Sequence, residues 1–174
     1  MGCRALCFLI SVWRKAPIMS VEADTVSATA KAAAPRAMPR FHLAFPILDK
    51  EETRQFYRDV LGCGVGREAE AWIDFDLWGH QISAHVKPDE CAAARTNSVD
   101  GDAVPVRHFG AILEWDDWAA LRDRLQAAGV TWIIEPKIRF QGEPGEQGTM
   151  FCLDPSGNAL EFKTFKSMES VFAT

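Results

Sequence analysis

The chain has 174 residues, of which 48% are apolar and 25% charged, and a formal net charge of −5. Such a composition describes an ordinary globular protein of one domain or two tightly joined halves. The acidic balance excludes nucleic acid as a partner, since no basic stripe offsets phosphate repulsion. Five cysteines (Cys3, Cys7, Cys63, Cys91 and Cys152) are odd in number, scattered and without a C-x-x-C pair. They exclude a thiolate zinc cluster and predict reduced thiols in a reducing compartment such as the cytoplasm.

Residues 1–38 differ in character from the rest. Met1 to Val21 holds Arg4, Arg14 and Lys15, no acidic residue, and an apolar run from Ala5 to Trp13. That run is too short to span a bilayer, so no membrane is expected as a partner. Two readings stand side by side: an organelle-targeting or signal segment, or an unstructured extension ahead of a start at Met19 or Met38. Leu6 breaks the myristoylation pattern that Met-Gly-Cys suggests. From Ser20 to Arg40 the chain is rich in Ala, Pro and Ser, as a disordered linker is.

From residue 39 the chain reads as an internal repeat. Phe41 to Ile47 is strand-like, Asp49 and Glu52 have capping-box spacing, and a helix with Phe56 and Val60 on one face stops at Gly62. Trp72 to Gly79 and His80 to Val86 complete the first half. Lys87 to Pro105, rich in Ala, Asn, Asp and Gly, predicts a loop between halves. His108 to Leu113 opens the second half, followed by cap candidates Asp116 and Asp117 and a helix with Trp118, Leu121 and Leu125 on one face, ending at Gly129. Glu135 to Gly148 predicts a long polar connection. Met150 to Leu153, the turn Asp154-Pro155-Ser156-Gly157-Asn158, and Ala159 to Phe165 close the chain as strand, turn and strand. Setting Gly79 on Gly157 superposes Asp76 on Asp154 and Ser83 on Glu161. The expected fold is α+β: two βαβββ modules, 39–88 and 105–166, joined through 89–104 and followed by a tail at 167–174, pairing into a curved mixed sheet that encloses a metal-binding cleft.

Strand alternation selects the candidate ligands. His42 shares a face with Ala44, His108 with Gly110, and Glu161 with Ala159 and Lys163, while bulky apolar residues take the alternate faces. Two imidazoles and a carboxylate with open positions suit Fe(II), and also Mn(II) or Zn(II). His42, His108 and Glu161 are therefore the predicted metal ligands.

These residues resemble the vicinal oxygen chelate superfamily, which includes glyoxalase I, bleomycin-resistance proteins, fosfomycin-resistance transferases and extradiol dioxygenases. The resemblance rests on Phe41-His42-Leu43-Ala44-Phe45, on Phe56-Tyr57-Arg58-Asp59-Val60-Leu61-Gly62, and on Asp154 to Phe162. It implies paired βαβββ modules holding a divalent ion. Glyoxalase-like members carry a second carboxylate where this chain has Ser83. Its loss implies a two-His, one-Glu site like that of small extradiol dioxygenases, with Fe(II) and a catecholic or related vicinal-oxygen substrate. A lyase, isomerase or transferase using Mn(II), Zn(II) or Ni(II) is the alternative, as is a non-catalytic bleomycin-resistance-like binder. His85, on the Ser83 face, is the candidate acid or base. Ser83 and Arg139 are candidate substrate contacts, Arg139 through a substrate carboxylate. His80 reads as solvated or structural, and Trp72, Phe75 and Trp78 as core or as a stacking wall. Exchange of modules between copies offers a route to a homodimer.

Overall fold

In chain order the elements are β1 (His42–Ile47), α1 (Lys50–Gln55), a π-helical turn (Phe56–Val60), β2 (Gly64–Ala69), β3 (Trp72–Leu77) and β4 (His80–Val86). There follow β5 (Thr96–Val99), β6 (Asp102–Pro105), β7 (Phe109–Ile112), α2 (Trp115–Ala127), β8 (Trp132–Arg139), β9 (Gln147–Leu153) and β10 (Ala159–Phe165). This computed structural model describes residues 38–172 except 93, 100 and 144. The targeting and extension readings of the N-terminal segment lie outside the described residues.

Two four-stranded sheets form, in the orders β1-β4-β3-β2 and β7-β10-β9-β8. In each, the first strand runs parallel to the last while the other three form an antiparallel meander. Each module is thus βαβββ, as the repeat predicts. The register preserves the repeat: Ala44 lies opposite Ser83 and Gly110 opposite Glu161.

Local chemistry explains most boundaries. Asp49 caps α1, its Oδ1 accepting from the Glu52 amide at 2.8 Å, and the chain leaves the π-helical turn through Gly62 at φ 80°. The cap of α2 differs from the expectation. Glu114 holds the N-cap position without a side-chain hydrogen bond, and Asp116 and Asp117 lie in the first turn, where their charge favours the helix dipole. The expected inter-module loop instead contains the β5–β6 hairpin. The polar connection after Glu135 is also shorter than expected, because β8 runs on to Arg139. Its alternating pattern is broken by Pro136 and a register shift against β9, which hid the strand in the sequence.

What remains of that connection, residues 140–146, is pinned by Glu146. Its carboxylate accepts from the Gly142 amide at 2.7 Å and from Lys166 Nζ at 3.0 Å. The Gly142 amide, then the Lys166 ammonium, hold the Glu146 carboxyl below its usual range.

Core residues come from both modules in one cluster that includes Phe45, Tyr57, Phe75, Trp118, Leu125 and Phe162. Tyr57 stacks on Phe75 at 5.0 Å, Phe45 meets Phe109 at 4.9 Å, and Trp118 Nε1 donates to the Phe162 carbonyl at 2.9 Å. Of the three aromatic residues around β3, only Phe75 is core. Trp72 lies on the other face against Arg67. Trp78 is exposed at a tight turn with φ 48°, its ring edge-on to Phe162.

Two outcomes follow from this packing. A Cβ on Gly110 would lie 1.7 Å from the Glu161 carbonyl oxygen, a backbone contact that no rotamer change relieves. Gly110→Ala is expected to cost about 3 kcal/mol or more, read as a lowered thermal midpoint. Glu146, with its carboxyl lowered in the folded state, stabilises the 140–146 turn above the ordinary carboxylate range, and that contribution is lost as pH falls through the lowered value. Hydrogen exchange at the Gly142 amide, corrected for intrinsic rate, should accelerate on acidification in the wild type. In Glu146→Gln it should already be fast at neutral pH.

Candidate metal centre

Strand alternation holds where the candidate ligands lie. On β10, Leu160, Phe162 and Thr164 are buried toward α2, which turns Glu161 and Lys163 to the open face. Parallel pairing of β7 with β10 then places His108, just before β7, beside Glu161. His108 Nε2 lies 3.0 Å from Glu161 Oε2. The other carboxylate oxygen, Oε1, accepts from Thr149 Oγ1 at 3.2 Å and faces Lys163 Nζ at 3.2 Å. The Glu161 side chain is only 11% exposed, and the His108 ring is set edge-on to Phe151 at 5.1 Å.

The orientation of the His108 ring bears directly on the metal. Its Nδ1 lies 2.6 Å from the Pro105 carbonyl, which only accepts, so Nδ1 carries the hydrogen. In the neutral ring this leaves the Nε2 lone pair aimed at a carboxylate oxygen. Two acceptors 3.0 Å apart require a cation, either a second ring proton or a metal ion bound by both. An imidazole whose far nitrogen donates to a backbone carbonyl is the usual support for a metal ligand. The His108–Glu161 pair therefore fits a divalent ion.

His42 lies elsewhere. It is exposed at the start of β1, opposite Gln81 on β4, and lines a cavity of ≈ 460 Å³ with Arg67, Asp74 and Gln81. Among the described residues no three His, Cys, Asp or Glu side chains stand close enough to share a metal ion. One chain thus brings together two of the three predicted ligands.

The remaining predicted residues distribute as follows. Ser83 is buried, and its hydroxyl donates to Asp74 Oδ1 at 2.5 Å, leaving only lone pairs for any substrate. His85 shares that face on β4, opposite Pro46 of β1 and Trp72 of β3, and so lies on the sheet opposite to the one that carries Glu161. Arg139 ends β8 opposite Gln147, with its guanidinium 5.2 Å from the Phe140 ring, two side-chain rows along from Glu161. His80 is structural: its Nδ1 accepts from the Phe41 amide at 3.0 Å.

Asp74 escaped the sequence reading. It is 4% exposed and accepts from Ser83, from Gln81 Nε2 at 3.0 Å and from Arg67 Nη2 at 3.3 Å. The available signal was its place on the open face of β3, in a strand whose alternate residues, Ile73, Phe75 and Leu77, are apolar. Beside His108, a groove of ≈ 350 Å³ runs between β1 and the start of β7, lined by Ala44, Pro46, Phe109, Asn158 and Ala159. The buried thiols take no part. Burial pushes Cys63 and Cys152 up to about 12, so both stay protonated.

Among the described residues no helix is long and apolar enough to cross a membrane. No curated protein sequence matches the chain. Among solved structures, a glyoxalase/bleomycin resistance protein/dioxygenase from Alicyclobacillus acidocaldarius is similar at 29% identity and TM-score 0.62, covering 77% of this chain and 96% of its own. A fosfomycin resistance protein from Listeria monocytogenes shares the fold at 14% identity and TM-score 0.59, covering 78% and 98%. A lactoylglutathione lyase from Agrobacterium tumefaciens does so at 16% and 0.52, covering 81% and 100%. The family profile described as Glyoxalase/Bleomycin resistance protein/Dioxygenase superfamily matches residues 40–162. With its two βαβββ modules and that match over most of its length, the chain belongs to the glyoxalase/bleomycin resistance protein/dioxygenase superfamily.

Proposed function

We propose that the chain is a divalent-metal-dependent enzyme acting on a small molecule with two neighbouring oxygens, and that its reaction is extradiol-type oxygen insertion beside a catecholic diol with Fe(II). The observation that carries the metal reading is His108, held between a carbonyl and a carboxylate that both only accept. When bound, the ion supplies Lewis acidity and open positions for two substrate oxygens. The chain's own residues do the rest. Pro105 fixes the His108 ring, while Thr149 and Lys163 hold the far oxygen of Glu161. The Lys163 ammonium is placed to stabilise negative charge arising beside Glu161. The apolar groove next to His108 accommodates a ring-sized body.

His42 completes the donor set from a second copy in this reading. Its support is the division of the candidate ligands between the open faces of two sheets, together with exposed Phe41, Val106 and Ile112 near the outer strands β1 and β7. The module-1 face of one copy meets the module-2 face of the other in a homodimer.

A second reading is a non-oxidative lyase, isomerase or transferase using Mn(II), Zn(II) or Ni(II). What favours it is Tyr57, the only tyrosine in the chain. It is fully buried, with its hydroxyl committed to Asp154 at 3.1 Å, so no phenol serves the site.

Anaerobic Fe(II) loading followed by oxygen uptake with a panel of catechols separates the two. Uptake stoichiometric with ring opening is expected. Turnover with Mn(II) or Ni(II) in the absence of O₂ selects the second reading, and ligand binding that ignores metal removal points to a binding protein. The dimer is tested by mixing. His42→Ala and His108→Ala should each lose tight metal binding, whereas their unfolded and refolded equimolar mixture should regain about a quarter of the wild-type sites, as random pairing of two-fold dimers requires. No recovery on mixing would rule out a shared site.

A further inference from the structure

We infer that Gln81 is an additional oxygen donor of the metal centre, and that Asp74 is the positioning residue that turns it outward. The inference rests on the composite site proposed above and adds a ligand to it.

The argument begins with strand register. Gln81 on β4 lies directly opposite His42 on β1 in a parallel pair, so the two side chains leave the sheet on the same face. Both line the ≈ 460 Å³ cavity. A glutamine amide has a donor end and an acceptor end, and which one faces a ligand depends on what holds the other. Here Gln81 Nε2 donates to Asp74 Oδ2 at 3.0 Å. Reversing the amide would set its oxygen against a carboxylate oxygen, a repulsive contact in a poorly solvated position. The network therefore leaves Oε1 as the free end.

Asp74 has no comparable freedom. It is 4% exposed, with Oδ1 taken by the Ser83 hydroxyl and Oδ2 shared by Gln81 and Arg67. Three donors, two on β4 and one on β2, hold it in place, so it anchors the Gln81 amide rather than meeting a ligand itself. The same carboxylate takes the Ser83 hydrogen. The β4 position that matches Glu161 in the repeat thus offers a hydroxyl committed to Asp74, while two residues earlier on the same face the amide keeps its oxygen available beside His42. Amide oxygens are serviceable ligands for hard divalent ions. The module-1 half of the centre becomes an imidazole and an amide oxygen, opposite an imidazole and a carboxylate on module 2.

The test uses the full chain, stripped of metal and titrated with Co(II) alone, reading the visible absorption bands and the dissociation constant. Gln81→Leu should weaken Co(II) about tenfold or more and alter the bands. Asp74→Asn should weaken Co(II) by about 10- to 100-fold, the range seen when a ligand loses its supporting hydrogen bond. Wild-type affinity and bands in Gln81→Leu, alongside loss in His108→Ala, would overturn the inference and leave the metal reading standing. Failure of the wild type to bind Co(II) would bring down both. A lowered thermal midpoint in Gln81→Leu with unchanged Co(II) bands would assign Gln81 a purely structural role and so also overturn it.

Discussion

The buried carboxylate of Asp154 is the interaction on which the arrangement of the two modules turns. Its Oδ1 accepts from the amides of Ser156 and Asn158, and its Oδ2 from Asn158 Nδ2 and the Tyr57 hydroxyl. Burial pushes its pKa up further than these hydrogen bonds pull it down, so the turn is stable only while the donors stay in place. Each donor also reaches outward. Asn158 Nδ2 contacts the Pro46 carbonyl at 3.0 Å, and Ser156 Oγ accepts from the Leu48 amide at 2.9 Å. Tyr57 carries the tie into the core of module 1. The turn that launches β10, and with it Glu161, is thereby bolted to the end of β1.

Glycine placement sets the next constraint. Gly110 lets β7 approach β10 more closely than any side chain would permit, and this approach brings His108 against Glu161. The pair is then tuned by neighbours with opposite tasks: a carbonyl that fixes the imidazole hydrogen, and a hydroxyl and an ammonium that occupy the far carboxylate oxygen. Module 1 treats its equivalent positions differently. Ser83 stands where Glu161 stands in the repeat, and the carboxylate has moved to β3 as Asp74, below the surface. The two halves share one architecture and present different chemistry. One displays a charged donor pair, the other an imidazole flanked by oriented polar groups.

Much of this was legible in the chain itself, for local reasons. The doubled βαβββ order followed from recurring apolar periodicity, from Gly62 and Gly129 at helix ends, and from the matched turns at Gly79 and Gly157. The faces of His42, His108 and Glu161 followed from the two-residue period of a strand. The β5–β6 hairpin and the end of β8 were not legible, because β5 is exposed on every residue and β8 is interrupted by Pro136 and shifted in register. Asp74 was missed because an aspartate alternating with apolar residues reads as a solvated strand position and does not announce its partners, which come from β2 and β4.

The amino-acid sequence by itself determined the modules, their repeat and the side of each strand on which a ligand stands, since backbone geometry and turn chemistry act over a few residues. Tertiary structure alone decided that His108 and Glu161 meet while His42 stands on the other sheet, and that Asp74 holds the amide nitrogen of Gln81. Those outcomes depend on contacts between elements far apart in the chain, where small rotations of whole sheets and the direction of single hydrogen bonds govern which polar atoms come together.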